Sequence, residues 1–587
     1  RHRGEPQNPM PHDPITRTHM RPMLGRIIRA GSMRRRHQQT RVLFLGLLGG
    51  WVVVSLLLLA GSEGMATHRG LATAATTTFG WVAMVQLAAI CLLTPIFMTG
   101  SIEQEASPRT WDLLLTTPLS SFGIVAGGLL GRLVFIFSLL LSALPVLLGL
   151  QILGGVGPHS VLTATVIAAA TAMVVATAAI TLSATRTGGR RAVLLYYGGI
   201  MVTLAATAAL DLAMRTPVSG GGTSTTFLTP LNPFLTLQSV LYPLSYVPAA
   251  PSDAGWLSQI WLTQPTTTFI ILSLLLSMLM VCWSVLRVRW LGPLLARGPK
   301  ISHTRQSREV GHNPIAWRAS TGRPRSYAED LIRWSWAAIG LLLPVIMWSA
   351  AAGGICHAKR ASQVLTAALI AQIAILILVA TTQAASVVTR AREQHTMDLL
   401  LTTPISPRAY LSGTLQGLAR QLTPILLAPM IMLVLCGALL GMFETDLPAN
   451  WGAIFGLSIS LGPFTAFCIV VGLHWSVRSL RTLTALMMSL TICVGAAGLF
   501  LPCLITSSEW PWWTAPVLSL SPLVSIDLAN RGLQGMSTAP FGVQTALWYL
   551  LLCGVVAGAF WSALTYMVLK TTAHGFVPTM RKLAGTE

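Results

Sequence analysis

Long apolar runs recur along this 587-residue chain, and they limit its fold more than any other feature. Val42–Ala60, Phe269–Val285 and Ala367–Ala380 are examples. A helix that crosses the hydrocarbon core of a bilayer needs about 20 mostly apolar residues. One such run could be the core of a soluble helix, but this chain has about twelve. Composition points the same way: 10% of the residues are charged, where soluble domains carry about 25%. Too little charge is present to build a hydrated skin, so the expected fold class is an all-α polytopic membrane protein.

The runs predict six spans in the first half, at 42–61, 78–100, 122–152, 160–184, 192–214 and 267–287. Six more follow at 334–353, 363–388, 409–442, 451–475, 483–505 and 543–569. The third span of each half is long enough to require tilt or a break. Three regions result: a first unit over 1–290 with an N-terminal interfacial helix, a linker with a second interfacial helix over 291–332, and a second unit over 333–587. The first apolar run is preceded by a polar, Arg-rich segment and is too long for a signal peptide, so no secretory signal is expected.

The net charge is +21, which alone could suggest nucleic acid. Its distribution excludes that reading. With the N-terminus inside and every span crossing, 32 of the 39 Lys and Arg fall in cytosolic segments. Only Arg69, Arg215, Lys359, Arg360 and Arg531 fall outside, while Arg132 and Arg420 lie within third spans. This is the positive-inside pattern. It predicts a multi-pass protein of the cell's inner (plasma) membrane with both termini cytosolic and no nucleic-acid partner.

The second constraint is an internal repeat. Asp112-Leu-Leu-Leu-Thr-Thr-Pro-Leu-Ser120 recurs as Asp398-Leu-Leu-Leu-Thr-Thr-Pro-Ile-Ser406, eight of nine positions identical at a shift of 286. Gly127 and Gly131 match Gly413 and Gly417 at the same shift. His12-Asp13-Pro14-Ile15 and His312-Asn313-Pro314-Ile315 precede the two units, and Arg186, Arg190 and Arg191 correspond to Arg478 and Arg481. Repetition of this kind is duplication. An even number of spans per unit gives two tandem six-helix repeats in parallel orientation.

The repeated motif lies in the cytosolic loop between the second and third spans. Glu103–Leu115 and Arg392–Leu401 read as short amphipathic helices, with the leucines packed and Glu105, Arg109, Arg392 and Glu393 solvated. Pro118 and Pro404 end them, because proline disfavours the helical conformation in the residue before it. Ser120 and Ser406 are suited to cap the third span, and Pro407 to open it. A short helix joined by a sharp turn to a spanning helix is a lever. Gly127–Gly131 and Gly413–Gly417 are Gly-x-x-x-Gly pairs that permit close helix packing.

The string from Glu105 to Ser120 resembles the coupling-helix signature of type-2 ABC exporter permeases, Glu-x-Glu-x-Gly-Thr-Leu-Glu-Leu-Leu-x-x-Thr/Ser-Pro-x-Ser. Six spans per unit, a preceding interfacial helix and a basic turn before the fifth span are also similar, so the likeness covers both halves. It implies that Glu105, Thr110 and Asp112, with Thr117 and Pro118, contact an ATPase, and likewise Glu393, Thr396 and Asp398, with Thr403 and Pro404. The partners it implies are two ATP-binding-cassette ATPase domains on separate chains, which hold ATP and Mg, while this chain binds no cofactor. The first copy departs from the signature at Ser107 and Arg109, the second at Ala391 and His395.

Several absences narrow the alternatives. No Gly-x-x-x-x-Gly-Lys-Ser/Thr loop is present to cradle nucleotide phosphates. Carboxylates are nearly missing from span interiors, against an ion-coupled secondary transporter. No nucleophile–base or metal constellation supports a membrane enzyme acting on lipid or glycan. The eight cysteines form no CxxC or Cys/His pattern and read as small hydrophobes. Trp510, Trp512 and Trp513 read as an interfacial belt, Asp211 and Arg215 as a structural i,i+4 pair, and His474 as interfacial. Asn232-Pro233-Phe234-Leu235 and Ser521-Pro522-Leu523-Val524 read as stretches that dip back into the membrane from outer loops.

Overall fold

A computed structural model describes most of residues 41–56 and 199–218, and residues 68–105, 121–184, 222–250, 255–295, 314–321, 327–353, 358–393, 397, 406–443, 451–480, 482–498, 514–531 and 543–584. The helices of eight or more residues described from end to end are α1 His68–Glu105, α2 Ser121–Gly149, α3 Pro158–Ala184, α4 Pro233–Leu241, α5 Trp256–Thr263, α6 Pro265–Leu295 and α7 Pro314–Thr321. Then come α8 Tyr327–Ala352, α9 Ala358–Glu393, α10 Pro407–Phe443, α11 Trp451–Arg478, α12 Thr482–Gly498, α13 Pro522–Arg531 and α14 Val543–Ala584. The described strands are β1 Thr223–Ser224 and β2 Tyr246–Val247, a two-residue parallel ladder in an otherwise helical molecule.

Six of these helices open on proline: α3, α4, α6, α7, α10 and α13. The first helical N–H has no partner within the helix, so proline loses nothing there and its fixed φ starts the turn. Before α3 the chain reverses through Gly154 and Gly155, at φ 84° and 78°. A Cβ at Gly155 would meet the Ala72 carbonyl and the Thr76 hydroxyl at 2.5 Å, so α1 passes too close for any side chain.

Eight of the helices are long and apolar enough to cross a membrane: α1, α2, α3, α6, α9, α10, α11 and α14. Phe44–Leu56, Trp336–Ala352 and Thr484–Gly498 are shorter apolar helices. The twelve expected spans therefore map onto eight full-length helices and three shorter ones, with the expected span at 192–214 only partly described. The expected third spans are continuous, α2 with Pro145 inside and α10 with Pro424 and Pro429 inside. At 1.5 Å per residue, the 37 residues of α10 reach roughly 55 Å, well beyond a hydrocarbon core of about 30 Å.

The solvent these helices are built for is legible on α6. It buries Ser273, Ser277 and Ser284 and exposes Ile271, Leu275, Met278 and Leu279, with Met278 at 74%. Ser284 and Thr181 of α3 pair their hydroxyls at 3.0 Å. Polar side chains inside and apolar ones outside fit lipid. Hydroxyls within spans turn back on carbonyls one turn earlier, as in Thr171 to Ile167, Thr465 to Leu461 and Ser489 to Ala485.

Two clusters form most of the core. One gathers α1, α2 and α3 and takes in Leu378 of α9 and Leu490 of α12. The other gathers α9, α10 and α11 and takes in Trp561 of α14. Neighbour relations recur: α3 touches α1, α2, α4 and α6, and α11 touches α9, α10, α13 and α14. Helices α11 and α14 run parallel, in contact from Gly456 and Gly554 to His474 and Thr572. Helices α3 and α6 are joined side by side through Thr177 and Thr181 to Met280 and Ser284.

Candidate functional site

Most of the repeated motif lies outside the described residues, namely Thr110, Asp112, Thr117, Pro118, Thr396, Asp398, Thr403 and Pro404. Glu105 and Glu393 are described as the last helical residues of α1 and α9. Trp510, Trp512, Trp513, His12 and the basic turn Arg186–Arg191 also fall outside. On either side of the motif, the structure gives α1 leading to α2 and α9 leading to α10.

The helix ends beside the second copy of the motif pack together. Val388, Met397, Tyr410, Leu411, Val477, Phe576 and Met580 form a separate buried cluster, with Ile315 of α7 packed against it. The ends of α9, α11 and α14 and the start of α10 thus converge on Met397, a residue of the expected lever. Tyr410 and Phe576 lie 5.6 Å apart between ring centroids.

One expectation is corrected here. Arg392 is not on a solvated lever face. Helix α9 continues through Glu393, so Arg392 follows Val388 by one turn on a buried face. Its guanidinium donates to the Ser479 carbonyl at 2.7 Å and the Val477 carbonyl at 3.2 Å. These are carbonyls at the end of α11, which lack helical partners. Burial lowers the Arg392 pKa, while the neighbouring Tyr410 opposes that shift. Ser476 adds to the joint by accepting from the Val388 and Thr389 N–H groups at 3.1 and 3.2 Å.

Of the candidate packing glycines, Gly413 and Gly417 are buried in α10, and Gly127 and Gly131 are half-buried in α2. Open space surrounds the Cβ position of Gly127. Other glycines sit at tight helix crossings. A Cβ on Gly554 would fall on the Gly456 backbone, and one on Gly340 would meet the Ala428 carbonyl at 2.5 Å.

Sequence reading missed a pair of buried amides. Gln86 in α1 and Gln372 in α9 are 8% and 2% exposed. Nε2 of Gln86 and both amide atoms of Gln372 have no hydrogen-bond partner among the described residues. They are separated by 286, the shift of the motif, which was the signal available in the sequence. A buried polar group without a partner is costly and calls for a reason.

Among α1, α3, α4 and α6, Asp211 is a structural centre. Its carboxylate accepts from Arg215 at 2.7 Å, Thr226 at 2.5 Å and Tyr246 at 2.8 Å. Arg215 also donates to Gln238 and stacks 4.1 Å from the Tyr246 ring. Burial pushes the Tyr246 hydroxyl up to about 12. The network ties the loop after residue 215 to α4, whose Asn232 caps it by accepting from the Phe234 N–H. Helix α4 packs on α1, α3 and α6, and α13 packs on α9, α11 and α12. Both stretches expected to dip back are thus short helices set against the spans. His474 accepts or donates to Thr572 at 2.7 Å and so links α11 to α14.

Among the described residues no group of three or more His, Cys, Asp or Glu could hold a metal. No protein-family profile and no curated protein sequence matches the chain.

Proposed function

We propose that this multi-span membrane protein is the transmembrane subunit of an ATP-driven exporter, with two six-span permease units fused in one chain. Two ATPase domains on separate chains dock on the duplicated motifs, and the stroke passes through them into α2 and α10. The chain itself does no ATP chemistry. The resemblance to type-2 permeases gives the direction, outward export or lipid movement.

One observation carries this reading: a near-identical nine-residue motif at the same place in two matching helix series. An ordinary loop needs no such identity. The recurring neighbours of α3 and α11 support two equivalent units related by an axis along the membrane normal. Parallel packing of α11 and α14 supports six spans per unit, because α12 must then return the chain across the bilayer. Gln86 and Gln372, equivalent and unsatisfied, are suited to meet polar groups of a substrate during passage.

The test is co-purification with the partner ATPase, followed by ATP turnover in reconstituted vesicles. Two nucleotide domains should be recovered per chain. The double variant Glu105→Ala/Glu393→Ala should insert normally but lose ATPase binding or stimulation. Pro118→Ala/Pro404→Ala should do the same by letting each short helix run on. Unchanged binding and turnover in both double variants would remove the coupling role.

A further inference from the structure

A groove of about 380 Å³ lies between the first turns of α10 and the later turns of α14. Arg408 and Ser412 line it from α10, and Tyr566, Leu569, Lys570 and His574 from α14. Positions 566, 570 and 574 are spaced by four, so they form one stripe along α14, each about 6 Å from the next. Arg408 and Ser412 are also four apart and form the facing stripe. The groove is graded along this axis. Arg408 and His574 sit toward the helix ends, Lys570 is central, and Tyr566 is one turn deeper. Leu411 and Leu569 supply an apolar floor that continues into the buried cluster below.

We propose that this groove binds the headgroup of an anionic phospholipid from the leaflet on the basic side of the protein. Three observations carry the proposal. The first is charge: Arg408 and Lys570 are exposed, and among the described residues neither has a carboxylate partner, Asp211–Arg215 being the ion pair found there. Two cations and an imidazole around a partly apolar hollow match a phosphodiester above acyl chains. The second is position. The groove lies at the start of the spanning segment Pro407–Ala438 and 6 to 14 residues before the end of the 33-residue segment Trp548–Met580, which at roughly 50 Å outruns a hydrocarbon core of about 30 Å and carries its last turns to headgroup depth and beyond. Tyr566 and Met567, 67% and 59% exposed, continue from it along the outward apolar face of α14, where acyl chains pack. The volume falls within the range of small-molecule sites, about 300–1,000 Å³.

The third observation is an asymmetry within the chain. At the shift of 286, the position equivalent to Arg408 is Phe122, which is exposed at the start of α2. The cation that closes the groove is therefore confined to the second unit. The inference does not depend on the ATP-driven reading, because it needs only a membrane-embedded α10 and α14.

The experiment uses the full chain reconstituted in phosphatidylcholine, alone or with phosphatidylglycerol as the minor component. Lipid retained after mild solubilisation is counted by native mass spectrometry, and thermal stability is read in parallel. The wild-type chain should retain phosphatidylglycerol over phosphatidylcholine by roughly thirtyfold, the size expected for two interfacial cations. Arg408→Phe, which installs the residue of the first unit, should remove most of that preference. Arg408→Lys should keep part of it. Melting in phosphatidylcholine alone should be the same for all three proteins, which separates lost binding from lost folding. If Arg408→Phe lowers that baseline, Lys570→Gln takes its place with the same expected loss. Equal retention of the two lipids by wild type, or full retention by the charge-removing variant, overturns the proposal. An equal thermal shift from inorganic phosphate without anionic lipid also overturns it, by making the ligand a free anion.

Discussion

Arg392 links two helix ends, and its neighbours set the consequence of losing it. Two carbonyls that α11 cannot satisfy itself receive its guanidinium, beside the thioether of Met580. Hydrogen bonds to a charged group are worth about 1.5–3 kcal/mol. Arg392→Gln should therefore destabilise the purified chain by an amount of that order, read as a lower melting temperature. Arg392→Lys should recover only part, since one ammonium cannot reproduce the planar fork. A melting point unchanged in the Gln variant would return Arg392 to the solvated face. The sequence was misleading here for a physical reason. Polar residues at 392–396 followed by Met397 and Leu399–Leu401 fit a new amphipathic helix, and pattern alone does not reveal that α9 continues through Glu393. Asp211 and Arg215, in contrast, were legible as an i,i+4 pair. Their partners Thr226, Gln238 and Tyr246 come from a loop whose path no spacing rule supplies.

At the scale of elements, the closest helix crossing is that of α11 on α14. Gly554 and Gly456 place backbone against backbone, and Gly558 sits one turn on, 3.5 Å from the Ile459 carbonyl at its Cβ position. Association within lipid depends on such close packing rather than on a hydrophobic drive. Gly554→Ala should force the helices apart and sharply reduce the yield of folded protein. Gly462→Ala in α11 and Gly127→Ala in α2 have open space and should be neutral or slightly stabilising, since alanine favours a helix by about 1 kcal/mol over glycine. Size-exclusion profiles and melting curves of the three variants check this. Equal behaviour of Gly554→Ala and Gly462→Ala would mean the crossing is not tight. Gly-x-x-x-Gly was readable in the sequence at several places, but the motif states only that a close approach is permitted. Which copy is used depends on the partner surface. The apolar runs themselves were legible because lipid demands length and composition, and of the proline-opened helix starts the one at Pro407 was legible for a local reason.

For the whole molecule, an expected sidedness comes from combining charge with helix direction. Arg392 joins the end of α9 to the end of α11 and reaches Met580 near the end of α14, so these three ends lie together. Arg408 and Lys570 flank the same region, and Arg478 is in the last turn of α11. Between α11 and α14 the chain must return, and α12 is the described helix available to do it. Its 17 residues reach only about 25 Å, short of a core of about 30 Å, so hydropathy and length alone leave it below a full span. Direction supplies what composition lacks. The positive-inside rule predicts the basic end, with the linker 288–312, in the cytosol and the loop 215–266 outside. Single cysteines introduced at Ser302 and Ser252, in a background without the eight native cysteines, test both assignments with a membrane-impermeant maleimide. Ser252→Cys should label in intact cells and Ser302→Cys only after permeabilisation. The opposite pattern would invert the molecule and place the duplicated motifs on the side where no ATP is available to a docked ATPase.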